Sequence, residues 1–196
     1  MTLKPLLLVA SLAAAGGAQT APVAPVDPAK AQAALQAFER QLETHDSATA
    51  VLQAWCDAHG PAPGLAIIAR SVAGASKTLP LSGREALRLK PGQTVRYRRV
   101  DLMCGGRVLS RADNWYLPGR LTEAMNRQLD RTQTPFGVVV KSLNFTRRNL
   151  GTDVLFSGVI VPPQVLRHTA VLLTGRAVPF SFVVETYTSD VLATDF

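Results

Sequence analysis

The sequence predicts an α+β fold: an antiparallel sheet of about six strands, with an N-terminal helical hairpin and one further helix packed on it. Three observations carry this expectation. Segments with helical periodicity come first in the chain, and segments with strand periodicity dominate later. The later strands come mostly as hairpins, with turn signals at Gly105-Gly106 and Gly175-Arg176. Strands and helices do not alternate along the chain as they do in a doubly wound parallel sheet. With 196 residues, 47% of them hydrophobic and 18% charged, the chain is long and apolar enough for one globular domain with a real core.

The N-terminus reads as an export signal over residues 1–18. Lys4 supplies the positive start, Leu6 to Ala15 the short apolar run, and Gly16-Gly17-Ala18 the small residues for cleavage. The apolar run is too short to span a bilayer, which takes roughly 20 residues, so no stable span is expected after cleavage. Residues 19–30 read as a Pro/Ala-rich linker. The domain is expected over 31–196, in a periplasmic or secreted protein.

A first helix is predicted over Pro28 to Glu43, with Leu35, Phe38 and Leu42 as its apolar stripe. His45-Asp46-Ser47 interrupts the pattern and supplies an N-cap for a second helix from Ala48 to Ala58. A turn at residues 60–64 leads to a short strand, Leu65 to Ala69. Residues 74–91 hold Pro80, Gly83 and Pro91 and read as loop, with at most a short strand near Ala86 to Leu89. The hairpin from Val95 to Leu117 turns at Gly105-Gly106. Arg120 to Leu129 is a helix, with Leu121, Met125 and Leu129 four residues apart. Asp130 to Gly137 is a loop. Strands follow at Val138 to Arg147 and Asp153 to Val161, with a turn at Asn149-Leu150-Gly151 between them. The last hairpin pairs Val165 to Thr174 with Ala177 to Thr188.

The net charge is +7 and the sequence pI about 10.0, a field that favours anionic partners. The arginines are scattered and form no basic stripe, so nucleic acid is not expected among the partners. Cys56 and Cys104 leave two readings open, a disulfide or two buried free thiols, with thiols slightly favoured. No metal site is expected: there is no C-x-x-C pair, and His45, His59 and His168 are isolated.

Two strand residues stand out as chemistry. Arg99 shares a strand face with Tyr97, Asp101 and Met103, whereas Arg98 points the other way with Val100, Leu102 and Cys104. One arginine of the pair can face a pocket, and parity alone does not say which. A guanidinium stays protonated and presents a planar fork that fits a carboxylate. Glu185 is the only acid in the nearly apolar run Phe180 to Tyr187, where a carboxylate needs a partner or a hydrogen bond. For both residues the plain alternative is structural: a solvated arginine and a glutamate paired to an arginine. No G-x-S-x-G elbow and no phosphate-cradling Gly loop occurs.

The order of several short runs is similar to the bacterial chorismate lyase family. The runs are Leu42 to Ala50, Arg99 to Gly106, Asn114 to Pro118, Thr134-Pro135-Phe136-Gly137, Phe145-Thr146-Arg147 and Glu185. The resemblance spans about Leu35 to Phe196. It implies a six-stranded antiparallel sheet enclosing a sequestered site, and a cofactor-free elimination of pyruvate from chorismate to leave 4-hydroxybenzoate. On that resemblance Arg99 binds a substrate carboxylate and Glu185 contacts the ring hydroxyl. The backbone of Phe136 and Gly137 holds the ligand carboxylate, and Arg147 helps hold the anion. The implied partner is a small anionic substrate, taken by a monomer. A related fold serves as a ligand-binding module in some transcription regulators. The alternative is therefore a non-catalytic periplasmic binding protein for a small aromatic or cyclic carboxylic acid.

Overall fold

The computed structural model describes residues 27–192. The expected signal peptide, most of the expected linker and the last four residues lie outside that span. Pro28, Ala29 and Lys30 open the first helix, at the start expected for it. Asp27 caps it by accepting from the Ala29 N–H at 2.9 Å, and Pro28 takes a first-turn position where no N–H is needed.

Helix α1 runs Pro28–Thr44 and α2 runs Ala48–His59. Between them Ser47 caps α2, its Oγ accepting from the Ala50 N–H. Strand β1 follows at Ile68–Ser71, then a short helix α3 at Leu81–Ala86. The hairpin is β2, Arg96–Cys104, and β3, Arg107–Tyr116; Gly105 takes the positive φ its turn demands. Helices α4, Glu123–Arg131, and α5, Phe136–Val139, lead to β4, Thr146–Val154. The last hairpin is β5, Gln164–Leu173, and β6, Pro179–Thr188.

All pairings are antiparallel, in the order β1-β2-β3-β6-β5-β4. Two three-stranded meanders therefore meet along β3 and β6. The α+β class and the six-stranded antiparallel sheet are as the sequence predicts.

One sheet face carries α1 and α2 over one end, where Leu35, Phe38, Leu52 and Trp55 join Leu102 and Tyr187 in a buried cluster. On the same face α4 and α5 cover the other end, where Met125, Leu129 and Val140 meet Tyr116 and Phe180. The opposite face is covered by α3 and its flanks, with Leu87 against Trp115 and Phe182. A gap between the two clusters on the first face becomes the candidate site.

Four expectations are corrected. Residues 81–86 are helical, because Pro80 stands before the first turn, where a proline does no harm. Residues 138–145 form no strand: the Pro135 carbonyl accepts from Val138 and Val139, closing a helical turn that buries Val139 and Val140. Asn144, at φ 46°, then turns the chain into β4. Asn149-Leu150-Gly151 is a bulge inside one continuous β4, so no second strand occupies 155–161. Cys56 and Cys104 are joined as a disulfide, because α2 brings its C-terminal turn to the end of β2 and the Cα atoms to 5.8 Å.

Candidate functional site

The registers of β2, β3, β6 and β5 set the floor of the cavity. Arg98, Asn114, Val183 and Ala170 stand abreast in one cross-strand row. Val100, Ala112, Glu185 and His168 form the next same-face row. The start of α2, with Asp46 and Ser47 before it, and the first turn of α5 close the cavity from above. Its volume is about 40 Å³. That is room for about three waters, or for the head of a planar acid, and not for a substituted ring.

The predicted carboxylate binder Arg99 is not in this cavity. It stands on the opposite face of β2, abreast of Asp113, with Nη1 3.6 Å from Asp113 Oδ1. Asp113 also accepts from Lys77 Nζ at 2.7 Å and from the Tyr97 hydroxyl at 2.6 Å. Burial alone would raise the Asp113 carboxyl, but those two donors outweigh it and hold it below its ordinary value. The same pairing and burial push the Tyr97 phenol up to about 12. Arg99 belongs to a surface ion cluster.

Arg98 takes the place expected of Arg99. All three of its guanidinium nitrogens are shielded from solvent, with no hydrogen-bond partner among the described residues. Burial pulls its pKa below the usual arginine value, although the Tyr116 hydroxyl and Asp130 pull it back. A guanidinium keeps its proton under such a shift, so the result is a buried charge in need of an anion.

Glu185 does line the cavity, as expected, and so do Phe136, Gly137 and Arg147. Arg147 Nη2 lies 2.7 Å from Glu185 Oε2, and both side chains are nearly sealed from water. The contact is a close ion pair rather than an aligned hydrogen bond, since Nη2 has no bonded acceptor. Burial would lower the Arg147 pKa, but Glu185 and Tyr187 lift it above its usual value. The Arg147 Nε donates to Asn149 Oδ1 at 2.9 Å, and its backbone N–H donates to Asp46 Oδ1 at 2.8 Å. The turn between α1 and α2 is thereby pinned to the edge strand.

Tyr187 and His168 complete this end. The Tyr187 hydroxyl donates to Glu185 Oε2 at 3.2 Å, and burial followed by the Glu185 charge raises its pKa far above normal. His168 is fully buried, edge-on to Tyr187, with no hydrogen-bond partner at either ring nitrogen among the described residues. Burial first, and then Arg147, lower its pKa. Beside Arg98, Asn114 accepts from the Ser181 hydroxyl at 2.7 Å.

Sequence reading missed Arg98, Asn114, Tyr187 and His168 as site residues. The signal for Arg98 was present: its face carries Val100, Leu102 and Cys104, the apolar side of the strand. Phe136 and Gly137 open α5, so their N–H groups have no intrahelical acceptor. The cavity lining holds two guanidinium groups, Arg98 and Arg147, and two carboxylates, Asp46 and Glu185. Glu185 pairs with Arg147 and Asp46 accepts from the Arg147 backbone N–H, so the Arg98 guanidinium is left with no hydrogen-bonded acceptor among the described residues. No group of three or more His, Cys, Asp or Glu residues among those described is placed to hold a metal.

No protein-family model matches the chain. Among solved structures, PhnF from Mycobacterium smegmatis aligns with a TM-score of 0.51 at 14% identity, over 76% of this chain and 66% of that one. The effector domain of the same protein aligns with a TM-score of 0.50 at 15% identity, over 74% of this chain and 90% of that one. At such identity the likeness establishes the fold. The protein y4mC of Sinorhizobium fredii, described as uncharacterized, is 42% identical over 190 residues, covering 87% of this chain and 80% of its own. That identity and coverage make this chain a member of the y4mC family.

Proposed function

We propose that the protein binds a small organic acid, aromatic or cyclic, whose carboxylate head enters the cavity beside Arg98. The observation that carries this reading is the Arg98 guanidinium, its three nitrogens shielded from solvent without a hydrogen-bond acceptor among the described residues. A buried cation without a partner is costly, and a bound carboxylate would supply the missing charge through two parallel hydrogen bonds. The likeness to an effector domain supports a binding role. The Cys56–Cys104 disulfide and the leader-like N-terminus support an exported protein, since disulfides persist in oxidising compartments.

The test is a calorimetric titration of the purified protein with 4-hydroxybenzoate. Saturable binding is expected, and Arg98→Met abolishes it. No heat and no thermal shift with any small carboxylic acid would sink the reading.

A second reading is turnover: elimination of pyruvate from chorismate to leave 4-hydroxybenzoate. It is favoured by Glu185, whose carboxylate lines the cavity with two guanidinium groups and accepts from the Tyr187 hydroxyl buried behind it. In that reaction the guanidinium groups would stabilise the charge that gathers on the departing enolpyruvyl oxygen. As the ring's C–O bond to that oxygen breaks, the hydroxyl-bearing ring carbon loses its proton and the ring becomes aromatic, while the enolpyruvate takes up a proton on carbon and leaves as pyruvate; Glu185 would hold the ring hydroxyl. The measurement is pyruvate release from chorismate. Binding without release leaves the protein a binder.

A further inference from the structure

We propose that the ligand is an amphiphilic acid whose apolar tail leaves the cavity and lies in a second, larger groove. This rests on the anion-binding reading of Arg98 and names the class of acid. The groove has a volume of about 590 Å³ and lies between α2, β1 and α5. It shares Ser47, Thr49, Gly137 and Phe145 with the cavity, so the two voids have a common wall.

Size makes the first argument. The cavity, at about 40 Å³, takes an acid head and little more, whereas the groove is fifteen-fold roomier. A ligand anchored at Arg98 has to continue somewhere, and the groove lies directly behind the shared wall.

That wall is thin where α5 meets α2. A Cβ placed on Gly137 would stand 3.0 Å from Ser47 Oγ and 3.1 Å from Thr49 Oγ1. Only the absence of a Cβ at Gly137 lets α5 approach α2 this closely. The groove's chemistry makes the second argument. Ile68 and Val138, 37% and 52% exposed, present apolar side chains there, together with Ala50 and Pro135. Its single charged lining residue among those described is Lys141, and no acid lines it. A cationic tail would find no acid there, whereas an alkyl or aryl tail would remove the apolar surface of Ile68, Val138, Ala50 and Pro135 from water.

The experiment is calorimetry with a series of 4-alkoxybenzoates, from 4-hydroxybenzoate to 4-octyloxybenzoate. Affinity is expected to rise about fourfold for each methylene that enters the groove, the equivalent of about 0.8 kcal/mol per buried CH₂. Val138→Asp and Ile68→Asp, both at partly exposed positions, should reduce that slope far more than they reduce 4-hydroxybenzoate binding. Arg98→Met should remove binding across the series. Affinity that stays flat or falls with tail length, while 4-hydroxybenzoate still binds, would overturn this inference and leave the anion site standing. Octanol binding as tightly as the octyloxy acid, or tails that bind equally to Arg98→Met, would also overturn it. If no acid in the series binds, the anion-binding reading falls with it.

Discussion

The two adjacent arginines of β2 divide the molecule's chemistry between the faces of one sheet. Arg99 is half exposed and shares Asp113 with Lys77 and Tyr97, so its loss should be mild. Arg99→Met is expected to cost under about 1 kcal/mol in urea unfolding, as exposed pairs usually do, and to leave 4-hydroxybenzoate affinity unchanged. Arg98→Met should do the reverse. It removes a buried charge without a partner and keeps the packing volume, so the ligand-free protein should gain at least about 1 kcal/mol while binding is lost. A site that trades stability for recognition behaves this way. An Arg98→Met protein less stable than the parent would mean that the guanidinium already has a partner in the free protein. His168 makes a second residue-scale case. Burial and Arg147 hold its pKa below the usual 6.5, against the opposing pull of Glu185 and Glu43, and the Tyr187 ring packs edge-on to it. As pH falls, the unfolded chain therefore takes up this proton before the native one. The stability tied to neutral His168 is complete above about pH 6.5 and is lost as pH falls through the native value. Urea unfolding at pH 7.5 and pH 5 should show the parent losing stability, by at most about 1.4 kcal/mol per pH unit from this group. His168→Leu should flatten that slope. An equal slope in both proteins would place the acid sensitivity elsewhere.

At the scale of elements, α3 shows what one glycine does for a sheet face. A Cβ on Gly83 would sit 2.5 Å from Leu79 Cδ1 and 3.0 Å from the Phe182 ring. Helix propensity favours alanine over glycine by about 1 kcal/mol, but overpacking at a buried ring costs about 1–3 kcal/mol. Gly83→Ala is therefore expected to lower the melting temperature, against its propensity; a rise would show that Leu79 yields freely. The same helix marks the limit of sequence legibility. Leu35, Phe38 and Leu42 of α1, and Val51, Leu52 and Trp55 of α2, repeat at helical spacing, and all are buried. The two Gly-turned hairpins were equally plain. Residues 74–91 and 138–145 were not, because their local signals point the wrong way. Pro80 and Gly83 read as breakers, although one precedes a helix and the other lets it approach Phe182. The β-branched run Val138-Val139-Val140 reads as strand, yet burial of Val139 and Val140 against Tyr116 and Phe180 holds it in a helical turn. The candidate site was half legible for a related reason. Glu185, Arg147, Phe136 and Gly137 could be named from motif order. The choice between Arg98 and Arg99 depended on which face of β2 the helices cover, and that is a tertiary fact.

For the whole molecule, the disulfide joins the helical layer to the sheet. Cys56 lies in the C-terminal turn of α2 and Cys104 at the end of β2, 48 residues apart in sequence. The loop it closes contains β1, α3 and most of β2. In the chain-entropy account a loop of this length contributes about 4 kcal/mol, by restricting the unfolded chain. For a domain of this size that corresponds to a fall in melting temperature of roughly 10 °C on reduction. The bond also acts on the site. The start of α2 helps line both the cavity and the groove, and its far end is held by Cys56. With that anchor gone, α2 keeps its packing, the Trp55 indole donating to the Val191 carbonyl at 3.0 Å, and the Gln53 side chain bonded to the Leu65 carbonyl and the Ile67 N–H. Reduction, or the paired Cys56→Ala and Cys104→Ala substitutions, should therefore lower the melting temperature and also weaken 4-hydroxybenzoate binding at a temperature where the domain is still folded. The two readouts separate the roles. A protein destabilised to the expected extent but binding as before would confine the disulfide to the unfolded state. Loss of affinity in the folded domain would show that the bond sets the distance between α2 and the Arg98 row of the sheet.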